Sequence, residues 1–338
     1  MTAHVTTGPP AAQAVPETGG RPPRVRPDML QKLLAFGALI ILMVVFSTLS
    51  EYFLSFGNLV DILLAAAVTG VLAIGATFVI TTGGIDLSVG TVMTLSAVMA
   101  AQTMTVWHLP VLFGVLAALA TGAVCGLVNG VLIAKLNLPP FIATLGTFYV
   151  ARGLALVISD SAPIYLTDET TFLGITMGQI VPGVPNAVLI FFAVAALAAV
   201  ILSRTVLGRY TVSLGSNEEA TRLSGVRTDR WKIGVYTLAG VFTGLAGVLL
   251  AGRIGSAQPS LGAGYELDAI AAAVIGGTSL RGGEGTMLGT VIGACIMSTL
   301  NNGLRLLSVP QEWQLVITGC ILVLAVFLDV VRRRKQST

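Results

Sequence analysis

Residues 59–81 read LVDILLAAAVTGVLAIGATFVIT, a run that contains a single charged side chain, Asp61. An α-helix needs about 20 mainly apolar residues to cross ~30 Å of hydrocarbon, so this stretch predicts a transmembrane helix. Of the 338 residues, 54% are hydrophobic and only 10% are charged, whereas soluble domains are about 25% charged. With a mean hydropathy of +0.88, the composition excludes an ordinary soluble enzyme and predicts an all-α, polytopic membrane protein.

Nine further apolar segments bring the predicted number of transmembrane helices to ten. The ten segments fall near residues 33–49, 59–81, 87–106, 111–134, 141–158, 186–202, 233–251, 267–279, 286–304 and 313–330. The segment 267–279 is short and runs into Gly276 and Gly277. A half-helix that enters the membrane without crossing it is therefore the alternative at that point.

The positive charges fall mainly on one side of this topology. With the amino terminus inside, sixteen of the nineteen Lys and Arg residues lie in cytoplasmic segments. Cytoplasmic loops carry an excess of Lys and Arg, and the even number of spans then places both termini in the cytoplasm.

The chain divides into a membrane domain and two tails. Residues 1–31, rich in Pro, Gly, Thr and Ala, predict a disordered cytoplasmic tail. Residues 32–331 form the predicted transmembrane domain, whose longest cytoplasmic loop covers 203–232. Residues 332–338 are a basic cytoplasmic tail.

A weak internal repeat relates the two halves of the membrane domain. Asn129-Gly130 ends the fourth predicted span, and Asn302-Gly303 ends the ninth on the opposite face. Five helices in each half, in opposite orientations, form the inverted repeat typical of transporters that alternate between inward-open and outward-open states. Chance similarity in a glycine-rich chain is the alternative.

A glycine pair and an acid interrupt the boundary between the second and third spans. Gly83 and Gly84 permit a tight turn, and Asp86 and Ser88 can accept backbone N–H groups at the start of the next helix. Local capping is enough to explain these residues. The functional alternative is a broken helix that shapes the transport path or its gate.

A second glycine block, GGTSLRGGEG at residues 276–285, mirrors the first. Gly276 and Gly277 allow close helix approach and are a second candidate pair for the path or gate. A glycine-rich loop can also bind phosphate, but none of the four lysines stands in a GxxxxGK[ST] motif. The sequence therefore predicts no nucleotide-hydrolysing site.

Metal-binding and catalytic residues are not predicted. Cys125, Cys295 and Cys320 lie in apolar segments, without CxxC spacing or a neighbouring histidine. HExxH and nucleophile-elbow serine motifs are absent from the sequence. We therefore predict neither a metalloprotein nor an enzyme.

The loop 203–232 contains a short predicted helix. Asn217 is a suitable N-cap, Glu218 and Glu219 then complement the helix dipole, and Gly225 can end the helix. Such a capped helix on a cytoplasmic loop is a natural docking element for a soluble partner. A solvated loop with ordinary caps is the alternative.

Two polar residues inside predicted spans are further candidates for the transport path. Arg152 lies some twelve residues into the fifth span, where a charge costs roughly 2.5–3.5 kcal/mol unless it is paired or near water. It either lines an aqueous cavity or snorkels to the outer surface. Asn129 either lines the path or joins helices by hydrogen bonds.

Several phrases, in this order, resemble the permease subunits of bacterial ribose-type ABC sugar importers. The phrases are GGIDLSVG (83–90), ATRLSG (220–225), AQP (257–259), GYELDAIA (264–271) and GGTSL (276–280). The likeness extends from about residue 32 to 331. The wider family includes branched-chain amino acid permeases, so the substrate class is less specific than transport itself.

The resemblance implies a multi-pass subunit of the bacterial cytoplasmic membrane that works with three kinds of partner. These are a sugar-binding protein outside, ABC ATPase subunits inside that bind ATP and Mg²⁺, and a second permease copy in a homodimer or heterodimer. It implies no cofactor in this chain and no nucleic-acid partner. By that analogy, Glu218, Glu219, Ala220, Arg222 and Gly225 belong to the coupling helix that seats in an ATPase groove.

Other functions remain as alternatives. An ion-coupled secondary transporter needs intramembrane acids, for which Asp61 and Asp86 near helix ends are the candidates. An ABC permease for branched-chain amino acids or nucleosides would share the same family features.

Overall fold

The computed structural model describes residues 27–336 and confirms a polytopic helical protein. Two short strands, β1 (Ile164–Tyr165) and β2 (Ser256–Ala257), pair antiparallel. The helices are, in chain order, α1 (Pro27–Leu49), α2 (Phe56–Thr81), α3 (Val89–Ala101), α4 (Val111–Ala134), α5 (Pro140–Ile158), α6 (Thr170–Met177), α7 (Asn186–Arg204), α8 (Val206–Ser216), α9 (Glu218–Leu223), α10 (Thr228–Ile254), α11 (Tyr265–Ile275), α12 (Met287–Leu306) and α13 (Gln311–Gln336).

Eight helices in the described part of the chain are long and apolar enough to cross a membrane, namely α1 to α5, α7, α10 and α12. Helix α3 reaches this length because it continues as a π-helical turn, Gln102–Val106. Helix α11 has only 11 residues, about 16 Å, which is roughly half of the hydrocarbon thickness. The half-helix alternative at 267–279 therefore fits the structure, and the predicted count of ten complete crossings is not confirmed.

The helices extend beyond the predicted edges of the membrane domain. Helix α1 begins at Pro27, and α13 continues to Gln336. Residues 332–336, which include the four basic residues of the predicted tail, thus continue the last helix. Residues 1–26 of the predicted disordered tail lie outside the described residues.

Helix α2 lies at the centre of the bundle, with α10 packed against it and also against α3 and α4. In the apolar window of α2, 94% of the residues are buried, whereas in that of α1 only 11% are buried. The contact between α4 and α10 is close because both helices carry glycines four residues apart, Gly122 and Gly126 facing Gly240 and Gly244. A Cβ at Gly122 would lie 2.7 Å from the Gly244 backbone nitrogen, so small residues permit this backbone approach.

Helix α10 spans the bundle and defines its two ends. Its first turn follows α9, and its last turn leads into β2, some 40 Å away at 1.5 Å per residue. We call these the α9 end and the strand end. The pairing of β1 with β2 joins the segment after α5 to the segment after α10, so it ties together the two halves of the chain at the strand end.

Candidate coupling helix and transport-path residues

Helix α9 is a short, solvent-exposed helix whose start is fixed by a side-chain cap. The Asn217 Oδ1 atom accepts the Ala220 backbone N–H at 2.9 Å, as predicted for an N-cap. Asn217 is also the C-cap of α8, so a single residue sets the angle between the two helices. Helix α9 then ends at Leu223, and Gly225 follows with φ +83°.

The charged residues of α9 form ion pairs on its exposed surface. The Arg222 guanidinium lies 2.8 Å from the Glu219 carboxylate, and the Lys232 ammonium lies 2.7 Å from that of Glu218. The hydrogen bond and the charge of Glu219 raise the pKa of Arg222. Exposed ion pairs of this kind contribute little to stability.

Thr221 is the buried residue of α9 and attaches it to α8. Its hydroxyl lies 2.9 Å from the Ser213 hydroxyl and 3.1 Å from the Ser213 carbonyl oxygen. Ala220 and Gly225 are exposed, and a Cβ at Gly225 would have no atom within 4 Å. One face of α9 is therefore attached to α8, while the other faces are exposed to solvent.

A buried polar cluster fixes the start of α3. The Asp86 Oδ1 atom accepts the backbone N–H of Ser88 at 2.8 Å and its hydroxyl at 2.6 Å. The Asn129 side-chain amide donates to the Ser88 hydroxyl at 3.0 Å, and the Thr147 hydroxyl donates to Asn129 Oδ1 at 2.5 Å. Asp86 thus holds Ser88, the N-cap of α3, in place. The cluster joins α3, α4 and α5.

The glycine pair before this cluster lies against α10. Gly83 has φ +84° and is exposed, whereas Gly84 is buried. A Cβ at Gly84 would collide with the hydroxyl of Tyr236. The Tyr236 hydroxyl is buried without a hydrogen-bond partner among the described residues, so the turn at 83–84 is shaped by its contact with α10.

The second glycine block contacts the first. The Gly283 backbone N–H donates to the carbonyl oxygen of Thr81, the last residue of α2, at 2.8 Å. Gly277 has φ +102°, which suits glycine. Gly276 packs against the backbone of Gly289 in α12. The structure thus brings together two motifs that are some 190 residues apart in the sequence.

Arg152 lies apart from this region, two turns further along α5 than Thr144, which contacts Leu87 of the first block. Its side chain is exposed. It lines a narrow crevice between α3 and the segment before α11 that has no room for a water molecule, together with Thr91, Thr94, Pro259, Ser260, Gly262 and Ala263. The Thr91 and Thr94 hydroxyls donate to the backbone carbonyl oxygens of Ser88 and Gly90 at the start of α3.

The predicted site residues therefore fall into three places: α9, the contact between the glycine blocks with the Asp86 cluster beside it, and the Arg152 crevice. Sequence reasoning missed Thr147 and Tyr236, which belong to the second of these places, and also Gly215 of α8, where a Cβ would collide with the Thr81 carbonyl oxygen and the Gly283 nitrogen. Threonine, tyrosine and glycine are common in apolar helices. Nothing in the local pattern around these three residues distinguishes them from structural residues.

Comparisons with known proteins identify the family to which the chain belongs. Residues 58–326 match the family model described as the permease component of branched-chain amino acid transport systems. The chain is 44% identical to the ribose import permease protein RbsC of Escherichia coli K12 over 295 residues, 86% of this chain and 91% of that protein. It is 45% identical to RbsC of Bacillus subtilis, covering 91% and 94%, and 35% identical to the L-arabinose ABC transporter permease protein AraH of Azospirillum brasilense, covering 95% of each.

No solved structure matched the chain. The helices and the family match define a multi-pass membrane permease. The chain belongs to this permease family and, within it, is similar throughout the membrane domain to the ribose-type ABC permeases. The resemblance seen in the sequence is confirmed.

Proposed function

We propose that this chain is the membrane permease subunit of an ABC importer that moves a monosaccharide across the bacterial cytoplasmic membrane. The sugar arrives on an extracytoplasmic binding protein, and separate ATPase subunits bind ATP and Mg²⁺. The observation that carries the proposal is the high identity, over most of the chain, to permeases named for ribose and arabinose. The sequence itself has no P-loop motif of its own.

Helix α9 is the proposed contact with the ATPase. It is capped, held by α8 through Thr221, and exposed on its remaining faces. A groove on the ATPase that presents basic side chains can take over Glu218 and Glu219 from their partners on this chain. Charge complementarity of this kind selects the partner and orients it.

The proposed orientation places the α9 end in the cytoplasm, together with both termini. The loop 203–232 carries six of the Lys and Arg residues, which fits the excess of positive charge on cytoplasmic loops. The strand end, with β1, β2 and α6, then faces the binding protein.

The proposed transport path runs beside α5 and is closed by a second permease copy. Helix α5 is exposed over much of its surface, and Arg152 is exposed near its middle. An unpaired arginine in hydrocarbon is costly, so we place this face of α5 against water in the path. Selectivity then rests mainly on the binding protein.

ATP binding to the partner subunits is the proposed cause of the conformational change that opens the path. The ATPase subunits close, displace α9 and open the conduit toward the binding protein, and hydrolysis resets it. The internal repeat, with a non-helical break before both α3 and α11, is the proposed basis of the alternation.

The contact with the ATPase is tested by reversing the charges of α9. In the complex of permease, ATPase and binding protein, Glu218→Lys with Glu219→Lys should abolish ATPase association and ATP-dependent uptake. The matched control, Asp168→Lys with Glu169→Lys at the strand end, should retain ATPase association.

Normal association and uptake in the α9 variant would contradict the assignment, and so would normal function of Gly225→Trp. Uptake into vesicles that lack ATP would instead support an ion-coupled transporter.

A further inference from the structure

Three segments meet at Gly215, near the end of α8. A Cβ at this position would collide with the carbonyl oxygen of Thr81 and with the backbone nitrogen of Gly283. In the opposite direction, a Cβ at Gly282 would lie 2.8 Å from the Gly215 Cα. The end of α8 is therefore in backbone contact with the end of α2 and with the loop 276–286.

Helix α8 is firmly joined to α9 on its other side. Thr221 bonds to both the hydroxyl and the carbonyl oxygen of Ser213, one turn before the end of α8. Asn217, the residue between the two helices, caps α9 and ends α8. A displacement of α9 therefore carries the end of α8 with it.

The loop 276–286 passes the contact on to two membrane helices. Gly283 donates its N–H to Thr81 at the end of α2. Close by, the Thr77 hydroxyl of α2 lies 2.7 Å from the Thr290 hydroxyl in the first turn of α12. The loop thus lies between the end of α2 and the beginning of α12, and α2 leads into the turn at Gly83 and the start of α3.

The loop also has free space beside it. A cavity of about 210 Å³ is bordered by Val212 of α8 and by Lys32, and on its other side by residues 276–277 and 283–286 of the loop. Closely packed groups transmit displacement, whereas a void does not. The backbone contacts at Gly215 are therefore the place where α8 can push on the loop, and the void gives the loop room to move.

We propose that Gly215 is a positioning residue for transport: its bare backbone transmits the displacement of α9 to the loop 276–286 and so to α2 and α12. This inference rests on the proposed role of α9 as the ATPase contact. A side chain at residue 215 separates the three backbones, so ATP hydrolysis continues without moving the path.

The experiment measures sugar accumulated per ATP hydrolysed, in proteoliposomes that contain the permease, its ATPase and its binding protein. The probe is ribose, or L-arabinose if ribose gives no binding-protein-dependent uptake in the wild type. Gly215→Ala should lower the ratio about fivefold, with ATPase association unchanged. The matched control is Gly234→Ala in α10, where a Cβ has no atom within 4 Å, and it should keep the wild-type ratio.

A second variant covers the case in which Gly215→Ala does not assemble. Thr221→Val keeps the side-chain shape but removes the bonds between α9 and α8, and it should also lower the ratio of sugar to ATP. If the Gly215→Ala complex assembles and accumulates as much sugar per ATP as the wild type, the inference is overturned. If Gly215→Ala does not assemble, the same result in Thr221→Val overturns it. Failure of the proposed function itself looks different, because the wild type would then show no ATPase association or no ATP-dependent uptake.

Discussion

At the scale of single residues, Asn129 shows how one buried amide joins three helices. It donates to Ser88 at the start of α3 and accepts from Thr147 of α5, while its own backbone belongs to α4. Sequence reasoning left two alternatives for this residue, the transport path or a bond between helices. The structure shows bonds between helices, and a role in the path stays a prediction.

Replacing Asn129 by alanine should lower stability. Interhelical side-chain hydrogen bonds in membranes contribute about 1 kcal/mol, which corresponds to a fall of roughly 2 °C in the thermal unfolding midpoint of a chain of this size. The midpoint is measured on the purified protein in detergent. Thr121→Ala is the control on the same helix, because within residues 27–336 its hydroxyl bonds only to the Ala117 carbonyl oxygen. Equal midpoints for the two variants would contradict the role of Asn129.

Arg152 should affect transport without affecting the fold. We expect Arg152→Gln to lower the rate of ATP-dependent uptake about tenfold, the equivalent of one lost hydrogen bond from a charged group. Because the side chain is exposed, the unfolding midpoint should not change. Arg152→Lys keeps the charge and should recover part of the rate. Unchanged uptake by the glutamine variant would place Arg152 outside the path.

At the scale of helices, the apolar runs and the caps were readable from the sequence. The predicted segment 111–134 coincides with α4, and Asn217 and Gly225 bound α9 as predicted. The π-helical turn after α3 and the exact end of α11 were not readable, because they depend on packing against other helices. Likewise, the contact between the two glycine blocks is a tertiary contact that no local pattern encodes.

The cap of α9 should be necessary for a tight ATPase contact. Replacing an N-cap asparagine by alanine costs about 1 kcal/mol of helix stability, so Asn217→Ala should raise the dissociation constant for the ATPase roughly fivefold. Binding is measured with the permease in lipid nanodiscs. Asn217→Ser supplies another cap and should bind almost normally. If the alanine variant binds as tightly as the serine variant, α9 does not depend on its cap.

The glycines between α4 and α10 should be intolerant of substitution. A methyl group at Gly122 meets the backbone of α10, and overpacking of this kind typically costs 1–3 kcal/mol, or about 2 kcal/mol for Gly122→Ala. The purified variant should unfold at a lower temperature than Gly146→Ala. At Gly146 of α5 a Cβ has no atom within 4 Å, so that substitution is the control. Similar unfolding temperatures would mean that the two helices separate at little cost.

At the scale of the whole molecule, the chain combines a buried centre with a weakly covered periphery. Helix α2 is enclosed on nearly all sides, while α1, α4 and α5 expose most of their apolar windows. Lipid can cover apolar surface, but contact between lipid and the charged Arg152 side chain costs free energy. This distribution fits a subunit that completes its path with a second copy and receives its driving force at α9.

The central claim is that this permease moves sugar only when its partners drive it. The most direct measurement is sugar accumulation in sealed proteoliposomes, with the permease alone and with its ATPase, its binding protein and ATP. We predict accumulation above the external concentration only in the complete system, and none for the permease alone under a proton or sodium gradient. Accumulation by the permease alone would contradict the account.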